Sequence, residues 1–365
     1  MRKVAGAAAL LCIALLLACS AQALAAARDA LTLWWSAVLP SLFPFFVLVG
    51  LLQDYGMLDC LCQITCLLFP RSARLKAGIP AFLLGALSGF PTGARVCAML
   101  GQSGLSVYCN LCSPIFLLGV ISVNLARDIR LFLPICIGHY GSALLLFLFS
   151  LCFPARDARA AFTNEDATPA AGVIGRIGEG MTAMLRIGGC IVFFSVLSAL
   201  LCEIGLFPLL GRILAFTGAA PDVTVALLTG ALEMTTGCAA IATLSLPSPV
   251  QAALYAATVS FGGICILAQT LMVARIERPL RYLAGKALQS ALAGMLAFLL
   301  APLFLQSDIP TMQFPDADTV MSNTVSGLSL LIASLVGVFG AYILSACLQL
   351  LQNKRTGDRS PDHSR

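Results

Sequence analysis

Long apolar stretches separated by short polar segments run along most of the chain. Several of them lack charged residues and reach or approach the ~20 residues with which a helix crosses ~30 Å of hydrocarbon. They cover residues 30–52, 131–154, 187–202, 243–274 and 319–352. Because a bilayer offers the backbone no hydrogen-bond partners, each stretch is expected to be helical. The pattern predicts an all-α, polytopic membrane protein.

The composition supports this class and excludes others. Apolar residues make up 59% of the chain and charged residues 11%, whereas roughly a quarter of a soluble protein is charged. The net charge of +5 comes from basic residues clustered beside the apolar stretches. That placement is typical of cytoplasmic membrane flanks and not of a nucleic-acid surface, so no nucleic-acid partner is expected.

Polar segments divide the chain into two halves. Residues 155–186 are predicted to be a cytoplasmic linker between a first transmembrane repeat, 28–154, and a second, 187–305. Residues 1–27 read either as an uncleaved membrane helix, which we favour, or as a signal-like segment. An external loop at 306–325, a membrane helix at 326–352 and a cytoplasmic tail at 353–365 follow.

Charge placement predicts how the halves are oriented. Basic flanks are expected in the cytoplasm, which places the linker and the stretch from Arg275 to Lys286 there. The first repeat then runs from outside to inside and the second from inside to outside. Each therefore crosses an odd number of times, and the two repeats are predicted to have inverted topology.

One short segment occurs in both halves. Residues 85–95 read GALSGFPTGAR and residues 230–239 read GALEMTTGCA, so that Gly-Ala-Leu, Thr-Gly and an Ala recur if one residue is deleted. Glycine and proline are poorly suited to a helix interior. Paired interruptions at corresponding positions indicate a transporter's binding site. Each segment is either a re-entrant hairpin, which we favour, or a kinked spanning helix.

Two ionisable residues accompany these breaks. Arg95 follows the first and Glu233 lies in the second. A charge inside a membrane is costly and is a functional candidate by default. Arg95 would bind a carboxylate, and Glu233 would bind a coupling sodium ion or carry a proton. The alternatives are that Arg95 lies at a membrane surface or pairs structurally with Glu233.

The half-helices after each break add a second source of positive charge. Their N-termini, at Thr92-Gly93 and Thr236-Gly237, expose backbone N–H groups that favour anions. With polar residues nearby, they define a candidate site for a small anionic solute. Its members are Ser88, Gly89, Pro91, Thr92, Gly93, Arg95, Asn110, Ser113, Glu233, Thr235, Thr236 and Gly237.

Other chemistry is weakly represented. Two cysteine groupings, at 60–66 and 109–112, lack a nearby histidine, and His139 reads as a packed or pore-lining residue. No phosphate-binding glycine loop, metal-binding histidine pair or Ser/His/Asp arrangement is evident. We therefore expect neither an enzyme nor a cofactor or metal, and a homo-oligomer is left open.

Four motifs resemble a known family: SLFPFF at 41–46, LSGFPTGAR at 87–95, SPIF at 113–116 and LEMTTG at 232–237. Together they look like the spore-formation integral membrane proteins of the YlbJ type, within the nucleoside-recognition "Gate" group that includes concentrative nucleoside transporters. The similarity spans roughly residues 30–350, and its most specific piece is Ser-Gly-Phe-Pro-Thr-Gly.

The resemblance implies a role that the residues alone do not. It implies a Gate-like fold and a part in endospore formation, in the bacterial cell membrane or the outer forespore membrane. Dipicolinic acid is the implied solute. The alternatives are a non-transporting scaffold needed for cortex assembly and a nucleoside or ion permease of the Gate group.

Overall fold

A computed structural model describes residues 2–69, 72–152, 172–218 and 220–305. Every regular element in these ranges is helical, which confirms the all-α prediction. The predicted external loop, C-terminal helix and tail at 306–365 lie outside the described residues. So do residues 155–171 of the predicted linker.

The first half begins with helices in close succession. α1 is Arg2–Ala18 and α2 is Ser20–Leu33, which continues through a π-helical turn, Trp34–Val38, into α3, Leu39–Asp54. α4, Met57–Leu68, starts after Gly56, whose φ of 66° suits glycine. The later helices of this half are α5, Ala73–Ser88; α6, Thr92–Met99; α7, Ser106–Cys109; and α8, Phe132–Ser150, with a π-helix at Phe116–Leu125 before α8.

The second half also consists of helices in close succession. α9 is Gly172–Glu203, so residues 172–186 of the predicted linker belong to a long helix. The remaining helices are α10, Leu206–Leu214; α11, Pro221–Leu232; α12, Met234–Ala242; α13, Ser248–Phe261; α14, Gly263–Val273; and α15, Pro279–Leu305. α10 follows Gly205 at φ 77°, as α4 follows Gly56.

Both copies of the recurring segment, 85–95 and 230–239, form helical hairpins. A Cβ built on Gly85 would lie 2.9 Å from the Cα of Gly93, and one on Gly237 would lie 2.2 Å from the Cα of Gly230. In a continuous helix, residues seven or eight apart are separated by roughly 10 to 12 Å. The chain therefore reverses at each break, and the kinked-helix alternative is wrong.

The leading helices of the two halves run antiparallel. At one end, Gln22 of α2 donates a hydrogen bond to Glu203 of α9. At the other, Arg176 of α9 forms an ion pair with Asp54 of α3. Inverted repeats require this arrangement, although the inversion of the complete repeats stays a prediction.

In the described part of the chain, five helical stretches are long and apolar enough to cross a membrane: Ser20–Asp54, Ile129–Ser150, Gly172–Glu203, Ser248–Val273 and Pro279–Leu305. The first four match four of the apolar stretches predicted from sequence. The fifth predicted stretch, 319–352, lies outside the described residues. Many of their large apolar side chains are exposed, among them Leu145, Phe193 and Leu299. The prediction of a multi-pass membrane protein is confirmed.

Candidate functional site

The two breaks meet at one cavity inside the bundle. Gly89 and Phe90 line it from the first hairpin, and Glu233, Met234 and Thr235 line it from the second. Its other lining residues belong to the helices around the hairpins and to the non-helical segment after α7: Val38, Ser41, Leu42, Cys112, Ser113, Phe116, Ile187, Ile191, Ile266 and Gln269. The fold therefore brings two segments about 145 residues apart in sequence to the same place.

The cavity is small in this conformation. Its volume is ≈ 40 Å³, and a water needs about 10 to 15 Å³. It can hold a few waters or a small cation but no aromatic dicarboxylate. A larger solute requires the surrounding elements to separate.

Glu233 contributes a carboxylate to the cavity. The break at this residue ends α11 and makes Glu233 the N-cap of α12. Its Oε2 accepts hydrogen bonds from the Thr236 backbone N–H at 2.7 Å, the Thr236 hydroxyl at 2.9 Å and the Thr235 hydroxyl. Its Oε1 accepts none from the described residues, although the side chain is only 1% exposed.

This capping changes the predicted role of the second break. The N-terminus of α12 is satisfied by the protein's own carboxylate, so it presents no open anion site at Thr236 and Gly237. Thr236 also shares a hydrogen bond with Ser195 at 3.1 Å, and Gly237 packs against Gly230. The second hairpin therefore contributes the Glu233 carboxylate to the cavity, a group that favours a cation or a proton.

The first hairpin lines the cavity with uncharged residues, Gly89 and Phe90. Gly89 has a φ of 84° and ends α5. Pro91 is the N-cap of α6, and Ser88 donates to its own helix at Leu84. Of the predicted residues on this hairpin, only Gly89 lines the cavity.

Two more of the predicted residues of this hairpin, Thr92 and Gly93, are buried beside the break. The Thr92 hydroxyl has no partner among the described residues. Gly93 lies so close to the Cys109 carbonyl that an added Cβ would be 2.0 Å from its oxygen. Gly93 is therefore needed for packing.

Arg95 is not among the cavity's lining residues. Its guanidinium donates to the Phe46 carbonyl at 2.9 Å and to Glu179 at 2.6 Å, and it lies 3.8 Å from the centre of the Phe46 ring. Glu179 also pairs with Arg176. Arg95 thus has a structural partner, as one alternative held, but that partner is Glu179 and not Glu233.

A cluster of buried polar side chains around Asn110 joins the two halves. Asn110 donates from Nδ2 to the Thr270 hydroxyl at 2.9 Å and the Tyr282 hydroxyl at 3.0 Å. The Lys286 ammonium donates to the Asn110 carbonyl at 2.7 Å and to Gln289 at 2.9 Å. Lys286 is fully buried, so it packs inward and is not part of an exposed basic flank; its cytoplasmic placement stays a prediction.

His139 lies in the same interior region and is fully buried. Its Nε2 accepts a hydrogen bond from the Cys112 backbone N–H at 3.0 Å, and its Nδ1 lies 2.8 Å from the Ser260 hydroxyl. Because Nε2 is an acceptor, Nδ1 carries the proton in the neutral ring. His139 is thus a packed residue that connects the halves.

Sequence reasoning missed Phe90 and Lys286. The pattern of α15 held a signal for Lys286, since Tyr282, Lys286, Gln289 and Ala293 recur at helical spacing and all four are buried. Lys286 lies on the face that packs inward. Because Lys286 was counted with the basic flank, its inward orientation was not predicted.

Comparison with characterised proteins finds one clear similarity. The chain is 25% identical over 283 residues to the sporulation integral membrane protein YlbJ of Bacillus subtilis (strain 168). The match covers 67% of this chain and 68% of that protein. No family model and no solved structure matches.

Proposed function

We propose that this chain, which is similar to a sporulation integral membrane protein, transports a small carboxylate across a membrane of the developing endospore. Dipicolinic acid is the solute we propose. The bacterial cell membrane or the outer forespore membrane is the proposed location.

One observation carries this proposal: two interrupted hairpins, one from each half, line a single internal cavity. A broken helix leaves backbone groups without helical partners, and membrane proteins tolerate this only where the segment is buried or lines a pathway. In secondary transporters, such paired breaks form the solute and ion sites. The antiparallel leading helices are consistent with alternating access to this cavity.

Glu233 is the residue to which we assign cation coupling. Its Oε2 is held by Thr235 and Thr236, which fixes the carboxylate in place and leaves Oε1 without a partner among the described residues. A proton or a sodium ion at Oε1 would neutralise the charge. Neutralisation lowers the cost of moving this group during transport.

Transport can be tested with the purified protein in liposomes. Radiolabelled dipicolinate should accumulate when a proton or sodium gradient is imposed. Glu233→Gln keeps an oxygen for the Thr236 N–H but removes the charge, and it should slow gradient-driven uptake by at least about tenfold, equivalent to 1.4 kcal/mol. Asp222→Asn, at an exposed position on α11, is the matched control and should leave uptake unchanged.

Two outcomes would overturn the proposal. Wild-type liposomes that take up no dipicolinate, although the protein is folded and inserted, would favour a membrane scaffold for cortex assembly. Uptake that uridine competes away would favour a nucleoside permease. Equal uptake by wild type and Glu233→Gln would remove Glu233 from the coupling step.

A further inference from the structure

Lys286 is a buried basic residue whose hydrogen bonds do not use all of its donors. The side chain is fully buried, and its two hydrogen-bond acceptors, the Asn110 carbonyl and Gln289, are uncharged. No carboxylate of the described residues forms an ion pair with it. Burying a cation without an opposite charge is costly, which makes the position a functional candidate.

Some hydrogen-bonding groups at and around Lys286 have no partner among the described residues. An ammonium group has three N–H donors, and the two acceptors named above use two of them. The side-chain oxygen of Asn110, Oδ1, is buried and has no hydrogen-bond partner among the described residues. Buried polar groups in proteins are nearly always satisfied. The remaining N–H of Lys286 would take an acceptor such as a carboxylate, whereas Asn110 Oδ1 would take a donor such as ordered water.

Phe90 connects this lysine to the cavity. Its ring lines the cavity and its centre lies 5.6 Å from Lys286 Nζ. The ring sits at the first break, next to Gly89 with its positive φ. Phe90 thus lies beside both the cavity and the amino group of Lys286.

From this geometry we infer that Lys286 is the anion-binding group of the solute site and that Phe90 covers it when the site is empty. The inference rests on the proposed function and assigns the class of ligand to that site: a carboxylate paired with Lys286. Arg95 was predicted for this role, but it is occupied by Glu179 and the Phe46 carbonyl. The cavity would then have a cation on one side and Glu233 on the other.

The test compares a charged ligand with a neutral one of the same shape. Binding of dipicolinate and of pyridine-2,6-dicarboxamide to the purified full-length protein is measured in detergent. Lys286→Met combined with Gln289→Leu replaces both members of a buried pair by apolar groups of similar size, which leaves no orphaned partner between them. This double variant should lose at least about tenfold in dipicolinate affinity and keep its affinity for the diamide.

Arg281→Met is the matched control, because Arg281 is an exposed basic residue on the same helix; it should bind both ligands as wild type does. Equal loss of both ligands in the double variant would show a structural role and overturn the inference. So would unchanged dipicolinate binding in a folded double variant. Failure of the wild type to bind dipicolinate at all would instead refute the proposed function.

A second measurement avoids substitution altogether. In the wild-type protein, acetylation of Lys286 by acetic anhydride is followed by mass spectrometry. The reagent reaches this buried amine only while the Phe90 ring is displaced. Bound dipicolinate should then slow acetylation several-fold, and by more than the diamide does at equal occupancy. Acetylation that dipicolinate does not slow, in protein that still transports it, would overturn the inference even if the double variant fails to fold.

Discussion

Arg95 and Glu233 show how neighbours determine what a charged residue can do. Both are almost fully buried, and both follow or occupy a break. Glu233 lines the cavity, whereas Arg95 is held by an ion pair with Glu179 of α9 and by the Phe46 carbonyl of α3. Arg95 thus anchors the first hairpin to the helices around it.

The Arg95–Glu179 ion pair should contribute to stability. Arg95 is buried, but the Glu179 side chain is 40% exposed, so the energy of a fully buried pair must be discounted for solvent. A double-mutant cycle with Arg95→Met and Glu179→Gln should give a coupling energy of roughly 1 to 2 kcal/mol in chemical unfolding.

The Arg130–Asp128 ion pair is the comparison for this cycle. Both of its side chains are partly exposed, at 34% and 21%, and a cycle on it should give less than about 1 kcal/mol. A coupling energy for Arg95 and Glu179 no larger than that of this pair would contradict the anchoring role.

The two hairpins depend on glycines at their crossing points. Gly93 lies against the Cys109 carbonyl, where an added Cβ would be 2.0 Å from the oxygen. Backbone atoms cannot move aside as a flexible side chain can. Gly93→Ala should therefore lower the free energy of unfolding by at least about 2 kcal/mol and reduce the amount of folded protein in membranes.

Gly189→Ala provides the matched control. Gly189 lies within α9, and a Cβ built there would have no atom within 4 Å. Since alanine favours helix over glycine by about 1 kcal/mol, this variant should be as stable as wild type or more stable. If Gly93→Ala unfolds at the same denaturant concentration as Gly189→Ala, the close approach of Gly93 to the Cys109 carbonyl is wrong.

The sequence carried much of the information about elements and little about their contacts. Apolar length predicted four of the five spans, and glycine with proline at 85–95 predicted a break, because these signals are local. The ion pair of Arg95 with Glu179 joins residues 84 apart in sequence, and no local pattern reports such a contact. Lys286 was misassigned for a related reason: basic residues precede it, and only packing shows that it faces inward.

Across the whole molecule, the two halves share one interior. The hairpin of each half lines the cavity, and the leading helices run antiparallel. Hydrogen bonds between the halves, from Asn110 to Thr270 and from His139 to Ser260, lie close to it. A transporter needs such a shared interior, because a solute must be released from contacts with both halves.

Protection of two single cysteines by solute tests this shared cavity most directly. Ser113→Cys and Thr235→Cys place one thiol on the cavity wall from each half, and each is made in a background without the fifteen native cysteines. Their alkylation in membranes is measured with increasing dipicolinate. If one cavity binds the solute, dipicolinate should slow alkylation of both thiols with the same half-maximal concentration. Protection of neither thiol, or of only one, would contradict a solute site formed jointly by the two halves.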